Sequence, residues 1–405
     1  MSRGRGGGRR GDGALPPRLA FAALFAVTLL SMLSVGATLP ILPRYVQGPI
    51  GAGDIAVGVV TGAFAITGLA CRPLAGSFAD SRGRKPVLMA GAALMAVASS
   101  LYFVPAGVPG LIVARLLLGA GEGMVYTAGA AWVVDIAPIE RRGRILGLYG
   151  LAIWSGLSFG PPIGEILLRT SSYGFVWAFA IASPLLGAVI ATRIPKPDQA
   201  LRSPERAGGS FWARESFGPG AALALATVGY AALAAFVVLH LDQRGIGHGA
   251  EVFTAFAFTV VATRILAGGL PDRIGAARCA AGAAAVEAAG LVTIALAHGP
   301  VAAFAGAIAM GAAFSTIFPS LALLVINRVD DDRRGVAMGT FTACFDVGVG
   351  LGAPIAGAAA AIGGYGLSFY VAAFAALMAM AVALRLGRLI GHVAPPALSR
   401  AEPGG

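Results

Sequence analysis

The chain has 405 residues, of which 57% are hydrophobic and 12% charged, with a mean hydropathy of +0.80 and a formal net charge of +11. So much apolar surface exceeds what a soluble core can hide and calls for lipid as solvent. The basic residues are distributed over loops and tails between apolar stretches, a pattern that points to membrane insertion and away from a nucleic-acid partner.

Apolar stretches of about 20 residues recur along the chain, the length a helix needs to cross a hydrocarbon core about 30 Å thick. Residues 1–18 read as a basic tail. The apolar run that follows continues at spanning length, without the short core and small-residue cleavage site of a removable signal. Twelve spans are expected, at 19–42, 55–78, 86–105, 109–134, 144–168, 173–194, 218–240, 250–271, 277–297, 300–326, 336–361 and 367–387. Between the sixth and seventh, residues 195–217 carry Pro195, Pro197, Pro204, Gly208, Gly209 and several charges, the composition of a solvated linker. Residues 391–405 read as a second tail. The expected fold is an all-α integral membrane protein built from two six-helix bundles, 19–194 and 218–390.

With an even number of spans, one side of the membrane holds the tails and most of the arginines, and the other holds only Arg44, Arg169 and Arg244. Positive charge is retained in the cytoplasm during insertion, so both termini are expected there, in a multi-pass cell (inner) membrane protein. The large excess of arginine over lysine, which occurs only at Lys85 and Lys196, hints at a GC-rich bacterial genome.

The sequence repeats itself at an offset of 192 residues. Ala70, Arg72, Leu74, Ala75, Gly76, Asp80 and Gly83 fall on Ala262, Arg264, Leu266, Ala267, Gly268, Asp272 and Gly275. The same offset carries Arg141, Arg142, Gly143, Gly147, Gly156, Gly160 and Pro162 onto Arg333, Arg334, Gly335, Gly339, Gly348, Gly352 and Pro354. A constant offset that pairs Asp, Arg and Pro marks a duplication, and six spans per half make the halves parallel, related by pseudo-two-fold symmetry.

The loop after the second span reads Gly76-Ser-Phe-Ala-Asp80-Ser-Arg82-Gly83-Arg84-Lys85, and that after the eighth Gly268-Gly-Leu-Pro-Asp272-Arg273-Ile-Gly275. A small residue at Gly76 or Gly268 permits close helix approach, Asp80 or Asp272 accepts hydrogen bonds from a neighbouring helix end, and Gly83 or Gly275 permits a tight turn. Arg72 and Arg264, two turns earlier, are expected to reach neighbouring helix ends or to snorkel toward the surface.

The fourth span holds Arg115-Leu-Leu-Leu-Gly119-Ala-Gly121-Glu122-Gly123. Charges at membrane depth are costly and mark function by default. Arg115 and Glu122 are seven residues apart, so they share a helical face about 10 Å apart along the axis, and Tyr126 extends that face by one turn. The fifth span carries Gly156-Leu-Ser-Phe-Gly160-Pro161-Pro162-Ile-Gly164, followed by Glu165, with Trp154 expected to face a cavity. Its glycines favour close helix contact and its prolines remove backbone donors. Two further acids interrupt apolar spans, Glu287 in the ninth and Asp346 in the eleventh, and a peripheral carboxyl at Glu287 is the weaker candidate.

These motifs resemble the major facilitator superfamily. The two loops are similar to its signature Gly-x-Leu-x-Asp-Arg-x-Gly-Arg-Lys, with Phe78 and Ser81 as departures in the first copy. Arg115 and the glycines after it look like its second motif. The 156–164 run is similar to the motif of its proton-coupled drug and metabolite exporters, with Glu165 in place of the last glycine. The resemblance implies that the loops latch the two bundles on the cytoplasmic side, with Asp135 and Arg142 where charge partners of the loop are expected. It implies that the eleventh span, with Asp346, lines a central cavity. It implies no cofactor beyond a proton gradient, and a duplicated chain already holds both halves of a site and is expected to work as a monomer.

The expected function is secondary active transport, proton-coupled efflux of a hydrophobic or amphipathic small molecule, with Glu122 and then Asp346 as proton-coupling residues; drug resistance is a natural setting. The alternatives are proton-coupled uptake of a sugar, amino acid or organic anion, and a non-transporting membrane sensor. An enzyme is disfavoured because no nucleophile, acid/base or metal cluster stands at usable spacing. Amide side chains are scarce, limited to Gln47, Gln199, Gln243 and Asn327, which favours a greasy substrate. Cys71, Cys279 and Cys344 read as free thiols, His240, His248, His298 and His392 as unremarkable, and Trp132 and Trp177 as interface anchors.

Overall fold

The computed structural model describes residues 16–138, 141–194, 213–330 and 333–391. The basic tail up to Met1, most of the expected linker and the C-terminal tail lie outside the described residues. The described chain is helical throughout: α1 (Pro17–Thr38), α2 (Ile41–Gln47), α3 (Asp54–Arg82), α4 (Arg84–Ser100), α5 (Gly107–Ile136), α6 (Arg142–Thr170), α7 (Tyr173–Arg193), α8 (Phe217–Gln243), α9 (Gly249–Leu266), α10 (Leu270–Ile274), α11 (Ala276–Ala295), α12 (Pro300–Ile326) and α13 (Arg334–Gly391). Among the described residues eleven helical stretches are long and apolar enough to cross a membrane. The last of them is two spans: Gly363 and Gly364 leave helical geometry, Gly364 with φ 76°, a conformation open to glycine. The described residues therefore hold twelve spans; the first expected span covers α1 and the start of α2, the eighth covers α9 and the start of α10, and the last two share α13.

The chain forms two compact units, one of residues 1–42 and 63–207, the other of 43–62 and 208–405. Close helix contacts in each are made through glycine, as expected where dispersion and shape fit must replace the hydrophobic drive that water supplies. In the first unit Gly156 and Gly160 of α6 lie on Met32, Gly36 and Ala37 of α1, and a Cβ on Gly160 would stand 2.6 Å from the Ala37 nitrogen. Gly91 of α4 likewise meets the Gly121 carbonyl of α5. In the second unit Gly290 of α11 and Gly306 of α12 face each other's carbonyls, and Gly348 and Gly352 of α13 lie on α8 from Ala224 to Ala231. Buried hydroxyls complete the seams: Ser34 donates to the Ala180 carbonyl at 2.7 Å, Ser183 to Leu30 at 2.6 Å and Ser315 to Val260 at 2.8 Å.

The compact units depart from the duplicated halves over 43–62. There Gly58 and Gly62 of α3 lie against Gly350, Ala353 and Pro354 of α13, and a Cβ at Gly62 would meet the Pro354 ring at 3.0 Å. Arg44 Nε pairs with Asp242 at 2.9 Å, and the Gln47 amide nitrogen donates to Asp54 at 2.5 Å and to the Tyr365 hydroxyl at 2.8 Å.

Trp132 and Trp177 are not interface anchors. Both are buried, and Trp177 packs on Tyr102 with ring centroids 4.8 Å apart, because the apolar stretches around them turn these faces inward. His240 is a buried ring that meets the Ile294 carbonyl at 3.1 Å and Phe369 at 5.1 Å.

Candidate functional site

Three loop and helix-end features build the first signature loop. α3 stays helical through Asp80 to Arg82, and Gly83 turns the chain at φ 94° and ψ 156° before α4 begins at Arg84. That turn places Arg84 so that its guanidinium binds two acids, Asp80 on the preceding helix and Asp135 near the end of α5 at 3.1 Å. Asp135 thus has Arg84 as a partner, while Arg142 is exposed in the first turn of α6. Lys85 Nζ donates to the carbonyls of Thr192 and Ile194, each at 2.7 Å, and so caps the end of α7.

Two expectations for these loops are corrected. Gly76 is not a point of tight helix approach, since a Cβ there would meet Thr127 at an ordinary 3.8 Å. The eighth span, expected to run to 271, is broken before its end: α9 stops at Leu266, Gly268 and Gly269 interrupt it, and α10 begins at Leu270 with Pro271 in its first turn. A Cβ on Gly268 would stand 2.8 Å from the Arg264 carbonyl of its own preceding turn, so this glycine serves the break and not an interhelical contact. Asp272 and Arg273 are exposed on α10, and Gly275 repeats the turn of Gly83 at φ 90°.

The membrane-depth charges of the first unit converge. Gly119 and Gly123 of α5 bring α3 close, with Phe64, Thr67, Gly68 and Arg72 laid along that face. Thr67 donates to the Leu116 carbonyl at 2.5 Å and fixes the register. Arg115, 0% exposed, lies with its guanidinium over the Phe64 ring at 4.7 Å. Arg72 stands over Tyr126 at 5.8 Å. Glu122 is partly exposed, with its Oε2 out of reach of solvent and without a hydrogen-bond partner among the described residues, and it lies in the electrostatic field of both Arg72 and Arg115. Tyr126 in turn stacks with Tyr149, ring centroids 6.3 Å apart, and the Tyr149 hydroxyl meets Thr28 at 2.5 Å.

Arg72 was expected at helix ends or the surface. It faces Tyr126 and Glu122 because the α3–α5 seam is narrow enough to hold its stem beside Gly123. The sequence signal was present: a small-residue run on one span opposite an arginine on another. Reading it requires knowing that those two spans touch.

Trp154 is buried, and its carbonyl accepts from Ser158 at 2.6 Å. Glu165, the departure at the end of the fifth-span motif, pairs with Arg169 at 2.7 Å one turn on. Gly164 lies on Ala37 and continues the seam of Gly156 and Gly160; Pro161 and Pro162 are inside α6.

The second unit holds Asp346, buried on α13. Beside it Phe345 belongs to a ring cluster with Tyr230, Phe253, Phe256 and Phe314, with centroids 5.6–6.4 Å apart. These rings come from α8, α9, α12 and α13, so no single stretch of sequence announces the cluster. Glu287 is 0% exposed, neither carboxylate oxygen has a hydrogen-bond partner among the described residues, and a Cβ at Gly229 would strike it. The repeat offset places it on Met95, also 0% exposed. No group of three or more His, Cys, Asp or Glu among the described residues is arranged to hold a metal ion.

The description Major Facilitator Superfamily matches the chain twice, at residues 24–251 and 220–404. An uncharacterized MFS-type transporter of Salmonella typhimurium is 31% identical over 368 residues, covering 88% of this chain and 94% of that protein. One from Burkholderia mallei is 30% identical over 386 residues, covering 92% and 94%. Among solved structures, the nucleoside transporter NupG superposes with a TM-score of 0.78 at 13% identity, covering 91% of this chain and 99% of that one. A bacterial homologue of the human lysosomal transporter Spinster gives 0.76 at 16%, covering 95% and 100%. The human organic anion transporter MFSD10 gives 0.65 at 18%, covering 91% and 100%. With twelve helical spans, a duplicated sequence and two family matches that together take in both halves, the chain belongs to the major facilitator superfamily and is a multi-pass membrane transporter, not an enzyme.

Proposed function

We propose that the protein exports a hydrophobic or amphipathic small molecule in exchange for protons, by alternating access, with Glu122 as the coupling carboxyl. The observation that carries this reading is the charged face of α5, where Arg115, Glu122 and Tyr126 are joined by Arg72 from α3. An acid between two cations in a partly exposed position has two competing states. Ionised, it is held by the arginines; protonated, it releases them, and a substrate that favours one state is thereby linked to the proton. Tyr126, stacked on the buried Tyr149, offers an aromatic ring one turn from Glu122, and the scarcity of amide side chains suits an apolar cargo. In the second unit Asp346, beside the aromatic cluster around Phe345, is the second proposed proton-coupling residue.

In this reading the termini are cytoplasmic by the arginine distribution. The Asp80–Arg84–Asp135 ion cluster, with Gly83 and Lys85 beside it, is a gate element of that side together with Arg142, and Gly268, Asp272, Arg273 and Gly275 are its repeat. The Gly156–Gly160–Gly164 seam is a close-packed bearing for α6. The chain works as a monomer.

The test uses inside-out vesicles acidified within, a pH-sensitive dye and a panel of cationic, neutral and anionic compounds. Wild type should release protons on addition of a transported compound, and Glu122→Gln, expressed at equal level, should not. Equal compound-dependent proton release in the variant would remove Glu122 from the coupling role. Uptake driven in the opposite direction would replace export by symport.

A further inference from the structure

The second unit has a cleft of about 650 Å³ where the start of α11 and the ends of α12 and α13 meet. Ala277, Arg278, Asn327, Arg328, Leu384 and Arg388 are among the residues that line it. The repeat explains why it is open. The offset of 192 carries Lys85, Thr192 and Ile194 of the first unit onto Ala277, Leu384 and Leu386. In the first unit the Lys85 side chain fills the niche and its ammonium satisfies the two carbonyls. In the second unit Ala277 places only a methyl group there, and the Leu386 carbonyl accepts from Arg328 at 3.5 Å.

Three guanidinium groups around an unfilled space favour an anion with several acceptor oxygens, for which arginine's planar fork is suited. The wall toward lipid is apolar and open, with Ile274 48% and Leu384 42% exposed. The site stands at the ends of three spans, the depth at which headgroups lie and at which basic pockets between helices take anionic lipids.

We propose that this cleft binds an anionic phospholipid, its phosphodiester against Arg278, Arg328 and Arg388 and its acyl chains along Ile274 and Leu384. In the first unit Lys85 occupies the equivalent space. The lipid then does for the second unit what that side chain does for the first: it ties the start of the third helix of the repeat to the end of the sixth.

Native mass spectrometry of the full-length protein released from mixed micelles tests this, with phosphatidylglycerol, cardiolipin and phosphatidylcholine as probes. Wild type should retain one anionic lipid at higher occupancy than phosphatidylcholine. The Arg278→Gln/Arg388→Gln variant should lose that preference by at least about tenfold. Ala277→Lys is the sharper variant, because it refills the niche as in the first unit while adding a positive charge; retention should fall. Retention unchanged or raised in Ala277→Lys would overturn the proposal, since general basicity would then hold the lipid. Equal retention of phosphatidylcholine would also overturn it. So would thermal protection by inorganic phosphate alone equal to that by phosphatidylglycerol, which would make the ligand a free anion. None of these readouts depends on the transported compound or on proton coupling.

Discussion

Glu287 and Glu122 are both carboxyls inside apolar spans, yet their surroundings assign them different fates. Glu122 has Arg72 and Arg115 nearby and partial exposure, which suit the proton exchange proposed for it. Glu287 sits against Gly229, with Leu291 and Met310 beside it, and its oxygens find no donor among the described residues. Where a buried polar group has no partner, an apolar residue of similar shape costs little or stabilises. Glu287→Met, which copies Met95 of the other half, should therefore keep or raise the melting temperature of the solubilised protein. A clear fall would show that the carboxyl has a structural partner. Both acids were legible in the sequence as intramembrane charges. What separated them was not, because Gly229 and Arg72 reach them from other helices, 58 residues before Glu287 and 50 before Glu122.

Gly83 and the α6 glycines show how much of each element a sequence motif conveys. The turn at Gly83 was expected from the loop signature, and its φ of 94° and ψ of 156° fall in a region kept for glycine. Gly83→Ala should cost about 1–3 kcal/mol and loosen the Arg84 bridge to Asp80 and Asp135, measured as a lower melting temperature. The 156–164 run was legible as a packing face, and its partner turned out to be α1 between Met32 and Ala37. With the Gly160 Cα already against the Gly36 backbone, Gly160→Leu overpacks the seam and should destabilise by about 1–3 kcal/mol or more. Survival of that variant at wild-type stability would mean the helices separate easily there. Gly76 misled for a physical reason: small residues near a helix end are compatible with close contact without requiring it, and only the neighbouring helix decides. Likewise the second loop copy kept its Asp and Gly spacing while its extra Gly269 and Pro271 broke the helix that the first copy preserves.

Across the whole molecule, hydropathy and the 192-residue offset carried the fold, because lipid imposes one constraint, internal satisfaction of the backbone, that every span must meet. Twelve spans follow from the apolar stretches along the chain, and even the fused α13 divides at Gly363 and Gly364, between the last two of them. Composition has no comparable hold on the aromatic cluster of Tyr230, Phe253, Phe256, Phe314 and Phe345, which five positions on four helices assemble. The duplication also makes the differences between halves informative: Lys85 against Ala277 and Met95 against Glu287 are places where equivalent positions have taken up unlike chemistry.

The most direct test of proton-coupled export is transport by the purified protein in liposomes under an imposed pH gradient, using a compound that wild type is found to move. Export in exchange for protons requires the compound to accumulate on the acidic side, and to reverse direction when the gradient is inverted. Accumulation on the alkaline side, or a flux indifferent to the gradient, would contradict it.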